Sequence, residues 1–168
     1  MLLWFLGASV VAVWFVFRSP ALDYRLVMVG AVLPLGEVAL GGPRFAHTLA
    51  FSAALLVVVV LATIRRRLLR RRWISLVIGV MLHLVLDGIW MIAEVFWWPV
   101  FGLQFPEVPL PELDRALGVT LVLEALGAGC LVWAWRAFGL SDPANRRLFV
   151  PQGPPKPSLV GGGCGVVH

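Results

Sequence analysis

An all-α, polytopic membrane bundle of about five transmembrane helices is the fold class that the sequence predicts, and three observations predict it. The chain is 60% hydrophobic with a mean hydropathy of +0.91 over 168 residues, more apolar surface than a soluble domain of this size can hide. Several apolar runs approach or exceed the ~18–20 residues needed to cross a hydrocarbon core about 30 Å thick. Charged side chains occupy only 14% of positions and cluster between those runs.

The first span is expected over about 2–17, closed by Arg18 and Ser19-Pro20. It lacks a basic region ahead of its apolar stretch, so it reads as a retained helix and not as a signal peptide. A second span, about 22–40, carries Asp23 and Arg25 near its start, Pro34 late and Glu37 near its end, and stops at Gly41-Gly42-Pro43, strong loop punctuation. The third, about 45–64, holds the purest apolar stretch and stops at the block Arg65–Arg72. The fourth, about 73–96, runs into Trp97-Trp98-Pro99, a pattern of interfacial aromatic belts.

A loop rich in proline and acidic residues follows, over about 100–115. The fifth span, about 116–138, contains Ala125, Gly127, Ala128 and Gly129, small residues suited to close helix packing. Residues 1–140 thus form the transmembrane domain. From 141 to 168 the chain is polar and rich in proline and glycine, as expected of a disordered cytoplasmic tail.

The formal charge of +5 and pI near 10.6 do not point to nucleic acid, because six of the fourteen basic residues sit in Arg65–Arg72 between two apolar runs. A block so placed reads as a cytoplasmic anchor facing membrane lipids with anionic headgroups. With that block inside, alternation also puts Arg18, Arg25, Arg136, Arg146, Arg147 and Lys156 inside and leaves only Arg44 and Arg115 outside. The expected topology is N-terminus out, C-terminus in. Two cysteines, Cys130 and Cys164, offer no disulfide framework or CxxC metal site.

Ionisable groups within spans are costly unless paired, facing a cavity or binding something; here they are Glu37, His47, His83, Asp87, Glu94 and Glu124. His83 and Asp87 lie four apart, on one helical face and roughly 6 Å along the axis, which supplies an imidazole and a carboxylate from one rigid support. Glu37 and His47 flank the Gly41-Gly42-Pro43 turn at the outer end. Together these four make a candidate nitrogen–oxygen site for zinc, manganese or magnesium. The His83–Asp87 pair equally suits an intramembrane hydrogen bond that only stabilises the bundle. Glu94, seven beyond Asp87, falls on the same face or snorkels beside Trp97 and Trp98; Glu124 lies about two turns into the fifth span, at a depth comparable with Asp87.

Leu33-Pro34-Leu35-Gly36-Glu37, then Arg44-Phe45-Ala46-His47-Thr48, then His83-Leu84-Val85-Leu86-Asp87 and Trp97-Trp98-Pro99 follow one another in an order that resembles the bacterial inner-membrane "metal-dependent hydrolase" family of small polytopic proteins. The resemblance covers about 33–101. It implies that Glu37, His47, His83 and Asp87 hold a metal, in a multi-pass protein of the bacterial plasma membrane. This chain departs from the pattern at Leu35, where the family has an aspartate, and near Gly42, where it has a histidine. The two losses leave a single-metal site or a remnant of one.

As a hydrolase the chain would act on lipid-linked or phosphate-ester substrates, with Glu94 or Glu124 as general base. A non-enzymatic scaffold or accessory subunit, and passage of a solute along the polar seam, are the competing readings. The topology carries its own prediction. A cysteine placed at Leu68, in a chain with Cys130 and Cys164 replaced by serine, is expected to react with an impermeant maleimide only after the membrane is opened. Labelling of intact cells would invert the orientation.

Overall fold

Helix ends in this chain follow local chemistry, and the computed structural model describes residues 1–18, 22–40, 45–104 and 115–142. Among them are six α-helices, two short 3-10 turns and no strand. Helix α1, Leu2–Phe17, ends where Arg18 adopts a left-handed φ of 45° and donates its N–H to the Trp14 carbonyl. Helix α2, Tyr24–Ala39, begins at Asp23, whose carboxylate accepts from the Arg25 N–H, satisfying one of the four amides that a helix start leaves open. Helix α3, Leu49–Ala62, is capped in the same way by Thr48, which accepts from Phe51.

Helix α4, Arg67–Asp87, stops at Gly88 with φ 78°, the left-handed position that glycine occupies most readily. A 3-10 turn, Ile89–Met91, and the four-residue α5, Ala93–Phe96, complete that half. Helix α6, Leu117–Ala137, follows.

The expected spans 2–17 and 116–138 correspond closely to α1 and α6. The expected span 45–64 divides into a 3-10 turn, Phe45–His47, and α3. The expected span 73–96 is displaced: the helix already begins at Arg67, because arginine is a good helix former, and Gly88 ends it nine residues early. The tail from 143, the Gly41-Gly42-Pro43 turn and residues 105–114 of the proline-rich loop lie outside the described residues. Among the described residues, one helix, α6, is by length and composition long and apolar enough to cross a membrane, and α1 and α3 are shorter apolar helices.

Two backbone crossings hold the bundle together. Where α2 meets α4, a Cβ on Gly30 would stand 2.1 Å from the Leu76 carbonyl oxygen, and one on Gly79 would stand 2.2 Å from that of Val27. Where α1 meets α6, a Cβ on Gly7 would stand 2.2 Å from the Gly127 oxygen. Each crossing puts backbone on backbone, a closeness only glycine permits, so each gains dispersion contact along both helices. Gly129 meets nothing within 4 Å; of the two glycines in the small-residue patch of α6, only Gly127 makes a crossing.

Both pairs run in the same chain direction: Asp23, Gly30 and Ala31 meet Ser75, Gly79 and His83 in order, as Leu3 and Val13 meet Gly127 and Phe138. A core of Val10, Val13, Tyr24, Val27, Ala134 and Phe138 fills one end, and Val80, Leu84, Ile89 and Val95 the other.

Several polar side chains share the interior with these apolar cores, while large apolar side chains lie outside. Ser9, His47, Thr48, Ser52, Ser75, His83 and Asp87 are buried, while Val57, Val58 and Leu61 of α3 and Leu121, Val122 and Leu126 of α6 are exposed. Gly79→Ala is therefore expected to cost about 1–3 kcal/mol through forced separation of α2 and α4, read as a lower thermal midpoint in detergent. Gly129→Ala, on an open face, should leave the midpoint unchanged or raise it slightly.

Candidate metal centre

His83 and Asp87 stand on the last two turns of α4, and His47 ends the 3-10 turn that leads into α3. All three are fully buried. One ligand atom from each lies within 4.8 Å of the other two. Three such atoms can all sit no more than about 2.8 Å from a shared point, at most ~0.6–0.8 Å beyond the ~2.0–2.2 Å of zinc and magnesium bonds.

His83 is held on three sides. Its Nδ1 lies 2.7 Å from the Ala31 carbonyl oxygen of α2. A carbonyl only accepts, so Nδ1 carries the hydrogen and a neutral ring keeps its lone pair on Nε2, the arrangement that prepares an imidazole to bind a metal. Phe5 of α1 stacks on the ring at 4.1 Å and 27°, and the His47 ring meets it edge-on at 5.2 Å and 78°. The contact between Ala31 and His83 exists because Gly30 and Gly79 let α2 and α4 approach so closely.

Glu37 has a different task from the one its position suggests. Its Oε1 accepts from the Phe45 N–H at 2.9 Å and its Oε2 from the Ala46 N–H at 2.7 Å. Both oxygens thus cap the 3-10 turn whose third residue is His47. Thr48 finishes the work from the other side, donating to the Phe45 carbonyl at 2.8 Å while accepting from Phe51. Glu37 is therefore a positioning residue for His47, and the four-ligand expectation reduces to His47, His83 and Asp87.

Neither expected general base reaches this centre. Gly88 breaks the helix that would have carried Glu94 onto the face of Asp87, and Glu94 is exposed in α5. Glu124 receives the Met1 ammonium at 2.9 Å and the Leu3 N–H at 3.0 Å, so its carboxylate caps the start of α1.

The sequence reading missed two neighbours of the site, Phe5 and Arg115. One guanidinium nitrogen of Arg115 donates to the Asp87 backbone carbonyl and lies 3.5 Å from Asp87 Oδ1. It thereby meets the negative end of α4 and a buried carboxylate together. Its signal in the sequence was slight: it is one of only two basic residues on the expected outer side. Phe5 gave none, being one apolar residue in an apolar run.

No family model, curated protein or solved structure matches this chain, so the chemistry rests on the side chains themselves. Glu37→Ala is expected to free the Phe45 and Ala46 amides. Loss of a charged cap worth about 1–2 kcal/mol should speed their hydrogen exchange roughly tenfold, while amides in the middle of α6 keep their rates.

Proposed function

We propose that the chain is a multi-span bundle of a bacterial inner membrane, N-terminus out and C-terminus in, that binds one divalent ion near the outer end and acts as a metal-dependent hydrolase. The observation that carries this reading is the convergence of three fully buried metal-ligating side chains, His47, His83 and Asp87. Burying an imidazole pair beside a carboxylate is costly unless something offsets it, and a cation satisfies all three at once. Two nitrogens and one oxygen favour zinc or manganese over magnesium, which prefers oxygen donors.

Membrane placement is supported by the buried polar side chains, the exposed apolar faces of α3 and α6, and the parallel pairing of α1 with α6 and α2 with α4. An alternating five-span path gives its first and fifth helices one direction, and its second and fourth the other. The Arg65–Arg72 turn then meets anionic headgroups on the cytoplasmic side.

A divalent ion at this site would acidify water and polarise a phosphoryl or acyl oxygen. The protein's own groups do the rest. Ala31 holds the His83 tautomer, Glu37 holds His47 in reach, and Phe5 covers the His83 ring. Arg115, beside Asp87 and partly exposed, offers a planar donor pair suited to a phosphate-ester or lipid-linked substrate.

One observation favours a scaffold instead: the Arg115–Asp87 and His83–Ala31 contacts also tie segments together without an ion. Metal analysis after purification in mild detergent separates the two. About one ion per chain is expected, lost in His83→Ala and Asp87→Ala with helicity retained, and kept in Glu94→Ala. A wild-type chain that holds no ion would hand the site to the scaffold reading.

A further inference from the structure

Helix α4 has a second face that the metal centre does not use. Spacings of three and four residues place Arg67, Arg70, Ile74, Ile78, Met81 and Val85 along one stripe, turned away from His83 and Asp87. From Ile74 to Val85 this stripe floors a groove of about 380 Å³ whose walls are α1, through Val16 and Phe17, and α3, through Leu56. The lining is almost wholly apolar. Below Ile74 the same stripe turns basic: Arg67 is exposed and Arg70 is half-buried, and Arg18, also exposed, follows Phe17 at the foot of the α1 wall.

We infer that this groove seats one acyl chain of an anionic phospholipid whose phosphate is held by Arg67 and Arg70. The inference rests on the membrane placement proposed above, and four features of the groove carry it. Its length fits: the eleven residue steps from Ile74 to Val85 span about 16 Å at the helical rise, close to the ~15 Å thickness of one leaflet's hydrocarbon. Its volume is at the small end of ligand clefts, suited to one chain. Its charge is complementary to a phosphate at one end only, and that is the end the basic residues assign to the cytoplasm, where anionic lipids are concentrated. Guanidinium groups bind phosphate oxygens in pairs, so two arginines one turn apart make a headgroup site rather than a diffuse field.

The test uses the full chain in phosphatidylcholine vesicles carrying a trace of spin-labelled phosphatidylglycerol or spin-labelled phosphatidylcholine, with the motionally restricted signal as readout. Restricted phosphatidylglycerol should exceed restricted phosphatidylcholine by at least about fivefold. Arg67→Gln with Arg70→Gln should bring that ratio near one. Met81→Trp, which fills the groove, should lower the restricted phosphatidylglycerol signal while the arginines remain.

Equal association of the two lipids in the wild type would overturn the inference. So would a preference that survives the arginine pair's removal, or one indifferent to Met81→Trp, which would reduce the site to a surface charge. Protein that does not enter the vesicles at all would defeat the membrane placement itself, an outcome distinct from an embedded protein without lipid preference.

Discussion

Gly30 and Gly79 let the backbones of α2 and α4 touch, and the rest of the structure is arranged around that contact. Because α2 lies directly against α4, the Ala31 carbonyl reaches His83 Nδ1 at one level, and the Asp23 amide reaches Ser75 Oγ two turns below. The Asp23 carboxylate extends the same seam to Arg72 at 2.8 Å. A side chain at either glycine would push the helices apart by more than a hydrogen bond can stretch. The orientation of a buried imidazole thus depends on two residues that have no chemistry of their own.

Asp87 draws two long-range contacts to the end of α4. Its carboxylate has no solvent exposure, and the Arg115 guanidinium stands 3.5 Å from Oδ1, a separation longer than a close charged hydrogen bond. Arg115 makes its shorter contact to the Asp87 backbone carbonyl instead. The Asp87 carboxylate thus shares its buried position with a guanidinium on one side and the imidazoles of His47 and His83 on the other.

Much of the architecture was legible because hydropathy and punctuation act locally. The run from Leu2 to Phe17 and the run from Leu117 to Ala137, which holds Glu124 and Arg136 but no proline, both appear as helices nearly residue for residue. The fourth helix was misplaced at both ends for one reason. Charge was read as a turn and apolarity as a helix, whereas arginines continue a helix well and Gly88 ends one inside an apolar stretch. The spacing of His83 and Asp87 survived that error because it lies wholly within α4; the link to Glu94 did not, because it crossed Gly88. Glu37 was found by its cost in an apolar segment, but whether a carboxylate binds an ion or two amides depends on where Phe45 and Ala46 fold back. That is a tertiary fact. Arg115 and Phe5 belong to the site only through long-range contacts, with no periodicity to mark them.

The placement of the two faces of α4 separates what this helix does at each end. Toward its C-terminus, His83 and Asp87 point into the bundle, and the groups that contact them come from α1, α2, the 3-10 turn before α3 and the chain beside α6. Toward its N-terminus, Arg67 and Arg70 share a stripe with Ile74 that faces away from that interior. A helix with only a structural role in lipid needs one apolar surface and tolerates any outward pattern. This one instead carries a polar cluster on one side and an amphipathic stripe, basic below and apolar above, on the other. Since α4 is a continuous rod of 21 residues, a lipid clamped at its basic end and an ion held at its acidic end would both resist the same rotation about the helix axis. Each site would thus fix the rotational setting that the other needs, with the Gly30–Gly79 crossing as the pivot between them.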